Sequence, residues 1–573
     1  VIDNLFVKRV MVTLKEAKKL NLKANAEIAR EQGAPAASIL AEQAWEGKVR
    51  KVFSWIVSVY LCVVFGAFPL YFHNYYYDIL VSKYQFYWLS TVAMLASCLI
   101  AAIVFECADL KRFGGAHVRR FFGAFRPSEL KKQPFAYKAL AVFWGLALIS
   151  TVLSDYVYES FWGNEGRFSG FFLITLYVLG TIVISKYGRM RKWYLDVFLA
   201  SSVLVCLFGI TDYFQMDLLG WKKGVSNEQG NLFVSTLGNI NTYTAFVALT
   251  MAVACGCFVS ERKVGRRIWY YLVSALAFFA LITGQSDNAY LSLGMLFAVM
   301  PLFLFTTWRG IADYGILVAM FVTVIKAVDT VNKVYADQVI GLGGVFGVLV
   351  RYRYLEGVVV LFWILAGVLW VWKRKMEQTN PESKPGRWIW RGWCAVLILG
   401  CLAVAFVLYD ANLGGHAERY STLSQYLVFD DDWGTNRGYC WRIGWQSYRE
   451  LPFLHQLFGF GPDTYGILTW DFRQDALDRY GVFYESAHNE YFQYLVTMGP
   501  FALASYLAFL GGACVRMCRK WKECAWILAP VLAVLCYGAQ AVVNINLPIA
   551  TPIMWAMLAI GLTLTREKAE QAE

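Results

Sequence analysis

Hydrophobic stretches long enough to cross a membrane recur along almost the whole sequence. A helix needs about 20 apolar residues to cross roughly 30 Å of hydrocarbon, and about fourteen stretches reach that length. Residues 311–355 mix apolar and polar side chains and could instead form a re-entrant or interfacial piece, so we expect about 12 to 14 transmembrane helices. The approximate centres of the stretches are residues 62, 97, 145, 177, 203, 250, 278, 298, 320, 364, 401, 503, 534 and 557.

Composition and charge agree with a membrane protein. The chain is 58% hydrophobic and 16% charged, whereas soluble domains are about half apolar and about a quarter charged. The short basic loops, such as "SKYGRMRKW", "ERKVGRRIW" and "VRMCRKWKE", alternate with less basic ones. This pattern predicts a multi-pass protein of the plasma (inner) membrane with both termini in the cytoplasm. The net charge of +12 follows from that topology and favours membrane lipids over nucleic acid.

The chain divides into five regions by polarity. Residues 1–50 are polar, and "LKEAKKLNLKANAEIAREQ" predicts either an amphipathic helix on the cytoplasmic face or a solvated helical tail. No signal peptide is predicted, because no short apolar segment with a small-residue cleavage site opens the sequence. The other regions are a transmembrane bundle at 51–409, a large extracytoplasmic loop at 410–487, C-terminal transmembrane helices at 488–565 and a cytoplasmic tail at 566–573.

The cysteines predict neither a disulfide framework nor a metal site. Only Cys440 of the 13 cysteines falls in an outer loop, and no paired C-x-x-C spacing occurs. Cys255, Gly256 and Cys257 lie in an apolar stretch, where small residues favour close packing of two helices.

The loop at 410–487 is too long to be a simple connector. It carries Trp433, Trp441, Trp445 and Trp470, an aromatic content that disordered segments lack. We therefore expect a small helical cap over the outer face of the membrane.

One helix of this cap places an arginine in an anion-binding position. In "GTNRGYCWRIGWQSYREL", Arg437 shares a helical face with Trp441 and two further aromatic residues. Thr435 or Asn436 is the expected N-cap, so Arg437 would stand in the first turn beside free backbone N–H groups, a site suited to phosphate or pyrophosphate. Packing of Arg437 on tryptophan as a cation–π pair is the alternative. Arg442 lies about 140° round the helix, too far to bind the same ligand from this helix.

The stretch "YESAHNEYFQYLVTMGP" places a histidine where the next transmembrane helix begins. On a helix starting near Ser486, His488 would face outward at the membrane surface, and Asn489 would pair with Gln493. Histidine there is a candidate general base at neutral pH, the alternative being an interface residue with one hydrogen bond. Glu485 competes for the base role or orients the imidazole.

Four segments together resemble the O-antigen ligase and O-antigen polymerase superfamily. "SAHNEYFQYLVTMGPFALASYLAFL" resembles its His-Asn signature, and "NRGYCWRIGWQSYRELPFLHQLFGFGPDTYG" is similar to its Arg-x-x-x-Trp helix and Gly-x-Gly-Pro turn. "STLGNINTYTAFVAL" resembles its Gly-Asn-x-Asn segment, and "GNEGRFSGFF" fits an outer loop with glycine and arginine. The resemblance covers residues 150 to 510 and implies an all-α, GT-C-like polytopic membrane protein.

Members of that superfamily transfer a glycan from a polyprenyl diphosphate, such as undecaprenyl diphosphate, to an acceptor without metal or other cofactor. By this resemblance His488 would deprotonate the acceptor hydroxyl, and Arg437 would hold the departing diphosphate. The acceptor would be a glycan, a lipid or another surface molecule, and polymerase and ligase are not distinguished. The further site residues expected are Glu485 in catalysis and Arg442, Arg167, Asn239, Asn241 and Asn489 in diphosphate or substrate binding.

The sequence departs from the superfamily pattern at two cationic positions. "GNLFVSTLGN" has no basic residue, and Ser286-Asp287 stands where relatives have Ser-Arg. A second diphosphate-binding cation must come from elsewhere, and the candidates are Lys222, Lys223, Arg167 and Arg442.

Two further charged groups support weaker alternatives. "FDDDWG" could bind a divalent cation through its carboxylates, although adjacent acids in a loop are usually solvated. Lys326 and Asp329 should pair within a span, and such groups can also mark a translocation path. The alternative function is therefore a flippase for lipid-linked glycans. It is disfavoured because no internal repeat is evident and the polar residues concentrate in one outer loop.

Overall fold

The computed structural model describes residues 36–115, 127–224, 226–380 and 383–570. The amphipathic segment predicted at 14–32 and residues 571–573 of the predicted tail lie outside these ranges. The first helices are α1 Ala36–Cys62, α2 Ile79–Phe113, α3 Pro127–Lys132, α4 Phe135–Leu153, α5 Val157–Trp162, α6 Phe171–Tyr187, α7 Lys192–Tyr213 and α8 Asn227–Gly230. Those that follow are α9 Ile240–Ser260, α10 Val264–Thr283, α11 Asn288–Leu304, α12 Trp308–Val334, α13 Gly344–Val350, α14 Leu355–Thr379 and α15 Arg387–Asn412. The last are α16 Ser424–Leu427, α17 Trp433–Glu450, α18 Phe453–Phe458, α19 Tyr465–Leu468, α20 Arg473–Tyr480, α21 Glu490–Lys520, α22 Leu528–Gln540 and α23 Thr551–Glu570.

The remaining regular elements are short. A π-helical turn, Val63–Ala67, continues α1. Two antiparallel strands, β1 Phe233–Val234 and β2 Gly238–Asn239, precede α9. The 3-10 turns are Ser235–Leu237, Ala417–Leu423, Trp470–Phe472, Ala525–Ile527 and Ala541–Val543.

The fold is an all-α polytopic membrane protein, as the sequence predicts. In the described ranges 11 helices are long and apolar enough to cross a membrane, and α6 and α11 are shorter apolar helices. These 13 helices and α23 lie at the fourteen stretches that the sequence predicts. Residues 311–355, which could have formed a re-entrant piece, instead contain most of the continuous helix α12, followed by the short helix α13.

Helix α9 lies at the centre of the bundle and is buried on all sides, with 94% of its most apolar segment inside the protein. It packs chiefly on α10 and α22. A Cβ atom on Gly256 would lie 2.6 Å from the Cα of Ala529 in α22. The prediction that the Cys-Gly-Cys stretch serves close helix packing is therefore confirmed, and each of the 13 cysteines is free.

Some polar groups inside the bundle are bonded within the protein, as an apolar solvent favours. Pro301 in α11 has no N–H to donate to the carbonyl of Phe297, and the hydroxyl of Tyr314 donates to that carbonyl at 3.1 Å. Lys326 donates to Asp329 at 2.9 Å, so their predicted pairing is confirmed.

The long loop folds into helices α16 to α20, which confirms the predicted mainly helical loop. Tyr448, Tyr465 and Ala487 form a small apolar cluster with Val496 of α21. Tyr439 of α17 packs with Ala476 of α20 in a second cluster. These contacts hold the loop at one end of the bundle, where α4 ends and α21 begins. We call this the loop end, and the end where α4 begins and α21 finishes the opposite end.

Candidate functional site

His488 lies just outside the helix that was predicted to contain it. Helix α21 begins at Glu490, and the side chain of Asn489 caps it by accepting from the backbone N–H of Tyr491 at 3.1 Å and of Phe492 at 3.0 Å. The predicted start near Ser486 is therefore wrong, as is the pairing of Asn489 with Gln493, whose side chain accepts from the N–H of Ala487. His488 has a φ of 49°, a left-handed conformation that places it in the turn before the cap.

The imidazole of His488 is held in its neutral form. Burial and, to a smaller extent, the positive charges of Arg437 and Arg167 together lower the pKa of His488 to about 3. Both guanidinium groups therefore lie close enough to act on the ring. The three side chains come from separate parts of the sequence and meet at the loop end of the bundle.

Arg437 is buried, only 9% exposed, at the point where α17 becomes regular. Gly434, Thr435 and Asn436 before it all have positive φ, and no side chain caps the helix. The predicted cap by Thr435 or Asn436 is therefore wrong, since neither side chain accepts a backbone N–H of α17 among the described contacts and Asn436 instead donates to the hydroxyl of Tyr484.

Two backbone carbonyls hold the guanidinium of Arg437. Its Nε donates to Val543 at 3.1 Å and its Nη1 to Gly434, which leaves Nη2 without a bond to any described residue. Burial lowers the pKa of Arg437, and the negative charge of Asp287 opposes that shift. Burial raises the pKa of Asp287, and the charge of Arg437 opposes that rise.

Arg167 lies on a loop that Asp463 holds in place. The carboxylate Oδ2 of Asp463 accepts the backbone N–H groups of Asn164 and Ser169, each at 2.9 Å, on either side of Arg167. Burial raises the pKa of Asp463 to about 7, although the two N–H groups and Arg167 favour its charged form. Gly163 begins the loop with a φ of 91°, and a Cβ there would lie 2.7 Å from the backbone of Phe168, so only glycine fits.

A small cavity of about 20 Å³ lies beside this loop. Three buried polar atoms of its lining make no hydrogen bond to the described protein: Nε of Arg167, Oγ of Ser486 and Oδ1 of Asn546. Glu490 also lines the cavity and accepts from the hydroxyls of Tyr506 and Tyr537. A cavity of this volume has room for about one water molecule, which could bond to these three atoms.

The Gly-Asn-x-Asn segment is joined to the site by a network of amides. Asn239 caps α9 through a 2.8 Å bond from the N–H of Asn241. The Oδ1 of Asn241 accepts from Ser286 at 2.6 Å, and its carbonyl accepts from Asn288 at 2.9 Å and Asn544 at 3.1 Å. Asn544 follows Val543, the residue that accepts from Arg437. Asn241 therefore contacts the segment that holds Arg437, and Asn239 fixes the start of α9 beside it.

Arg442 is not part of this arrangement. It forms a bidentate pair with Asp431, through Nε at 2.7 Å and Nη2 at 2.8 Å. Lys222 is likewise paired, with Asp212 at 3.0 Å. Of the candidates for the second cation, Arg167 is the one that acts on His488 together with Arg437.

Glu485 makes no hydrogen bond to His488 among the described contacts. It lines a groove of about 270 Å³ together with Trp470, Phe483 and Asn164 of the Arg167 loop. In this groove the guanidinium of Arg473 lies between the rings of Trp470 and Phe483, 4.5 Å from each centroid. Exposed aromatic rings beside charged and amide groups suit a sugar, whose faces are apolar and whose edges carry hydroxyls.

Sequence reasoning missed Asp463, Asn544, Asn546 and Glu490. Asp463 follows the Gly-x-Gly-Pro turn directly, so an acid at a turn of the matched motif was the available signal. Asn544 and Asn546 stand in "VVNINLP", two amides at the end of an apolar stretch, where polar residues carry a cost and mark function.

Comparison with known proteins agrees with the motifs. A family model described as O-antigen ligase matches residues 339–507. The match includes the Arg437 helix, the Gly-x-Gly-Pro turn and the His488 segment, so the resemblance that these motifs carry is confirmed. It supports a membrane glycan ligase or polymerase of surface polysaccharide assembly. No curated protein matches the chain.

Proposed function

We propose that this protein transfers an oligosaccharide or polysaccharide from a polyprenyl diphosphate to an acceptor hydroxyl on the outer face of the plasma membrane. The observation that carries the proposal is the convergence of two arginines on one neutral histidine. A diphosphate leaving group needs cations, and a sugar hydroxyl needs a base to become a nucleophile.

In the proposed step the acceptor oxygen attacks the anomeric carbon of the donor sugar as His488 takes the hydroxyl proton. The bond from that carbon to the diphosphate oxygen breaks, and the diphosphate leaves with the electron pair. The imidazole of His488 is neutral at physiological pH, so its lone pair is free. A bound diphosphate would offset the charges of Arg437 and Arg167 and so raise the pKa of His488 toward the range of a general base.

The leaving diphosphate would be held by Arg437 and Arg167. Arg437 has a free Nη2 and Arg167 a free Nε, and charge-assisted bonds from arginine to phosphate oxygens are strong in a water-poor site. Arg437 must also release some of its attraction to Asp287, so the diphosphate competes with an internal carboxylate.

The donor or acceptor glycan would lie in the groove of Trp470 and Phe483. This groove and the small cavity are both lined by residues of the Arg167 loop, and the adjacent residues Glu485 and Ser486 line the groove and the cavity respectively. Glu485 would then contact sugar hydroxyls in this groove, and a role for Glu485 as the base is the alternative that variants can separate.

The test uses the purified full chain in nanodiscs with a polyprenyl-diphosphate oligosaccharide and no other enzyme. A longer lipid-linked glycan or free polyprenyl diphosphate is expected over time, and product length distinguishes polymerase from ligase. If neither product forms across several donors, but labelled carrier crosses the bilayer of proteoliposomes, the chain is a flippase and the proposal is wrong.

A further inference from the structure

A second, larger cavity opens at the opposite end of the bundle. It has a volume of about 560 Å³ and lies between α4, α21 and α23. Phe135, Gly512 and Val515 form its apolar wall, and Arg516, Arg519 and Lys520 form its rim. It shares no residue with the loop-end site, because α21 starts beside His488 and reaches this cavity only in its last turns.

The rim carries more positive charge than the neighbouring acid neutralises. Arg516 donates from Nε to the hydroxyl of Thr565 at 2.9 Å, which fixes the guanidinium and leaves its terminal nitrogens unbonded in the described protein. Arg519 is exposed and has no partner among the described residues. Only Lys520 is paired, with Glu523 at 3.0 Å.

The apolar wall faces outward from the bundle. The side chains of Phe135 and Val515 are 63% and 51% exposed, and in a membrane-spanning chain such surfaces contact lipid. A Cβ on Gly512 would lie 2.8 Å from Cδ1 of Phe135, so the glycine allows the aromatic ring to lie close over α21. The cavity therefore joins an apolar surface to a fixed guanidinium at the end of a transmembrane helix.

We propose that this cavity binds one anionic phospholipid from the surrounding bilayer. Its phosphate would be held by Arg516 and Arg519, since a guanidinium fork matches phosphate oxygens. One acyl chain would lie along Phe135 and Val515, the apolar surface beside the cationic rim. Basic pockets between transmembrane helices recognise anionic headgroups in this way.

The bound lipid would stabilise the last turns of α21 against α4 and α23. Since α21 begins two residues after His488, a lipid bound at the other end of this helix would also help to fix the position of the His488 turn. The lipid site itself does not depend on the proposed function, because it is defined by other residues.

Native mass spectrometry of the purified full chain tests the proposal directly. Phosphatidylglycerol is expected to remain bound at lower concentration than phosphatidylethanolamine. Arg519→Gln should weaken phosphatidylglycerol binding roughly fivefold, as expected for one cation near an anionic headgroup. Lys375→Gln, which removes an exposed lysine of α14 away from the cavity, is the control and should change nothing.

A second variant removes the apolar part of the site without touching its charges. Val515→Trp should fill the cavity and displace the lipid while leaving the fold intact, because Val515 faces outward. Equal retention of the two lipids, or unchanged binding in both variants, would overturn the proposal. Displacement of the lipid by millimolar inorganic phosphate would show that the cavity binds the phosphate group but not the acyl chain, and it would overturn the proposal as well.

Discussion

The indole N–H of Trp441 donates to the carbonyl of Ala487 at 2.9 Å. This bond joins α17, four residues after Arg437, to the residue that precedes His488. The ring of Trp441 also packs on Trp433 and Phe492. Trp441 therefore helps to fix the distance between His488, the proposed base, and Arg437, the residue proposed to bind the diphosphate.

Removing that bond should lower activity without unfolding the protein. Trp441→Phe keeps an aromatic ring and loses one hydrogen bond, worth about 1 kcal/mol, so we expect kcat to fall about fivefold and thermal stability in detergent to fall only slightly. Trp445→Phe is the matched control, because Trp445 stacks on Tyr448 and is 45% exposed. Equal effects of the two variants would show that the Ala487 bond does not position His488.

The two central residues should fail in different ways. We expect His488→Ala to lose about 10² to 10⁴-fold in rate while still binding polyprenyl diphosphate, because only the proton acceptor is removed. We expect Arg437→Ala to lose both rate and diphosphate binding, and Arg437→Lys to recover binding in part since the charge returns without the Val543 bond. Normal turnover by the purified His488→Ala protein would transfer the base role to Glu485 or another group.

Asp463 should act through the loop that it holds. Asp463→Ala removes the acceptor of two backbone N–H groups, so we expect the 163–170 loop to become open to trypsin at Arg167 and the KM for the lipid-linked donor to rise about tenfold. The control is Asp471→Ala, which removes an exposed acid from the 410–487 loop that also contains Asp463. Unchanged proteolysis at Arg167 would mean that the loop keeps its shape without Asp463.

The acid limb of activity should belong to Asp463 rather than to His488. The pKa of Asp463 is raised to about 7, so lowering the pH through 7 protonates this carboxyl and weakens its hold on the Arg167 loop. The pKa of His488 is lowered to about 3, so His488 stays neutral over the same range. We expect kcat/KM to fall below pH 7 and Asp463→Asn to flatten that limb. If Asp463→Asn keeps the limb, His488 titrates near neutrality in the working enzyme.

Asp287 should oppose diphosphate binding. Because its carboxylate attracts Arg437, Asp287→Asn removes an internal competitor, and we expect polyprenyl diphosphate to bind roughly fivefold more tightly and with a stronger dependence on salt. Asp431→Asn is the control, since Asp431 pairs with Arg442. Weaker binding by Asp287→Asn would mean instead that the carboxylate orients Arg437 for its ligand.

The sequence predicts the bundle because the thickness of the bilayer fixes the length of each apolar stretch. It also predicts that Arg437 and His488 belong to one site, through the order of the motifs that carry them. It does not predict that His488 lies outside the helix, because the left-handed turn at a residue other than glycine has no signal in hydrophobic periodicity. Asn489 was read as a substrate contact, although its side chain is used in capping α21.

The pairing of charges was also beyond sequence reasoning. From the sequence, Arg167 and Arg442 are equally suited to hold phosphate. Only the folded chain shows that Arg442 pairs with Asp431 and that Arg167 lies close enough to lower the pKa of His488. Asp463 lies next to a matched motif, yet its partners are in a loop near the start of the bundle. Contacts between such distant segments depend on how the helices pack, which the local pattern does not encode.

The bond between Asn164 and Asp463 joins residues 299 positions apart. During synthesis the segment with Arg167 is therefore made long before the residue that fixes it, and His488, the proposed base, emerges later still. The proposed site can form only after both distant parts of the chain have been made, so its assembly comes late in translation.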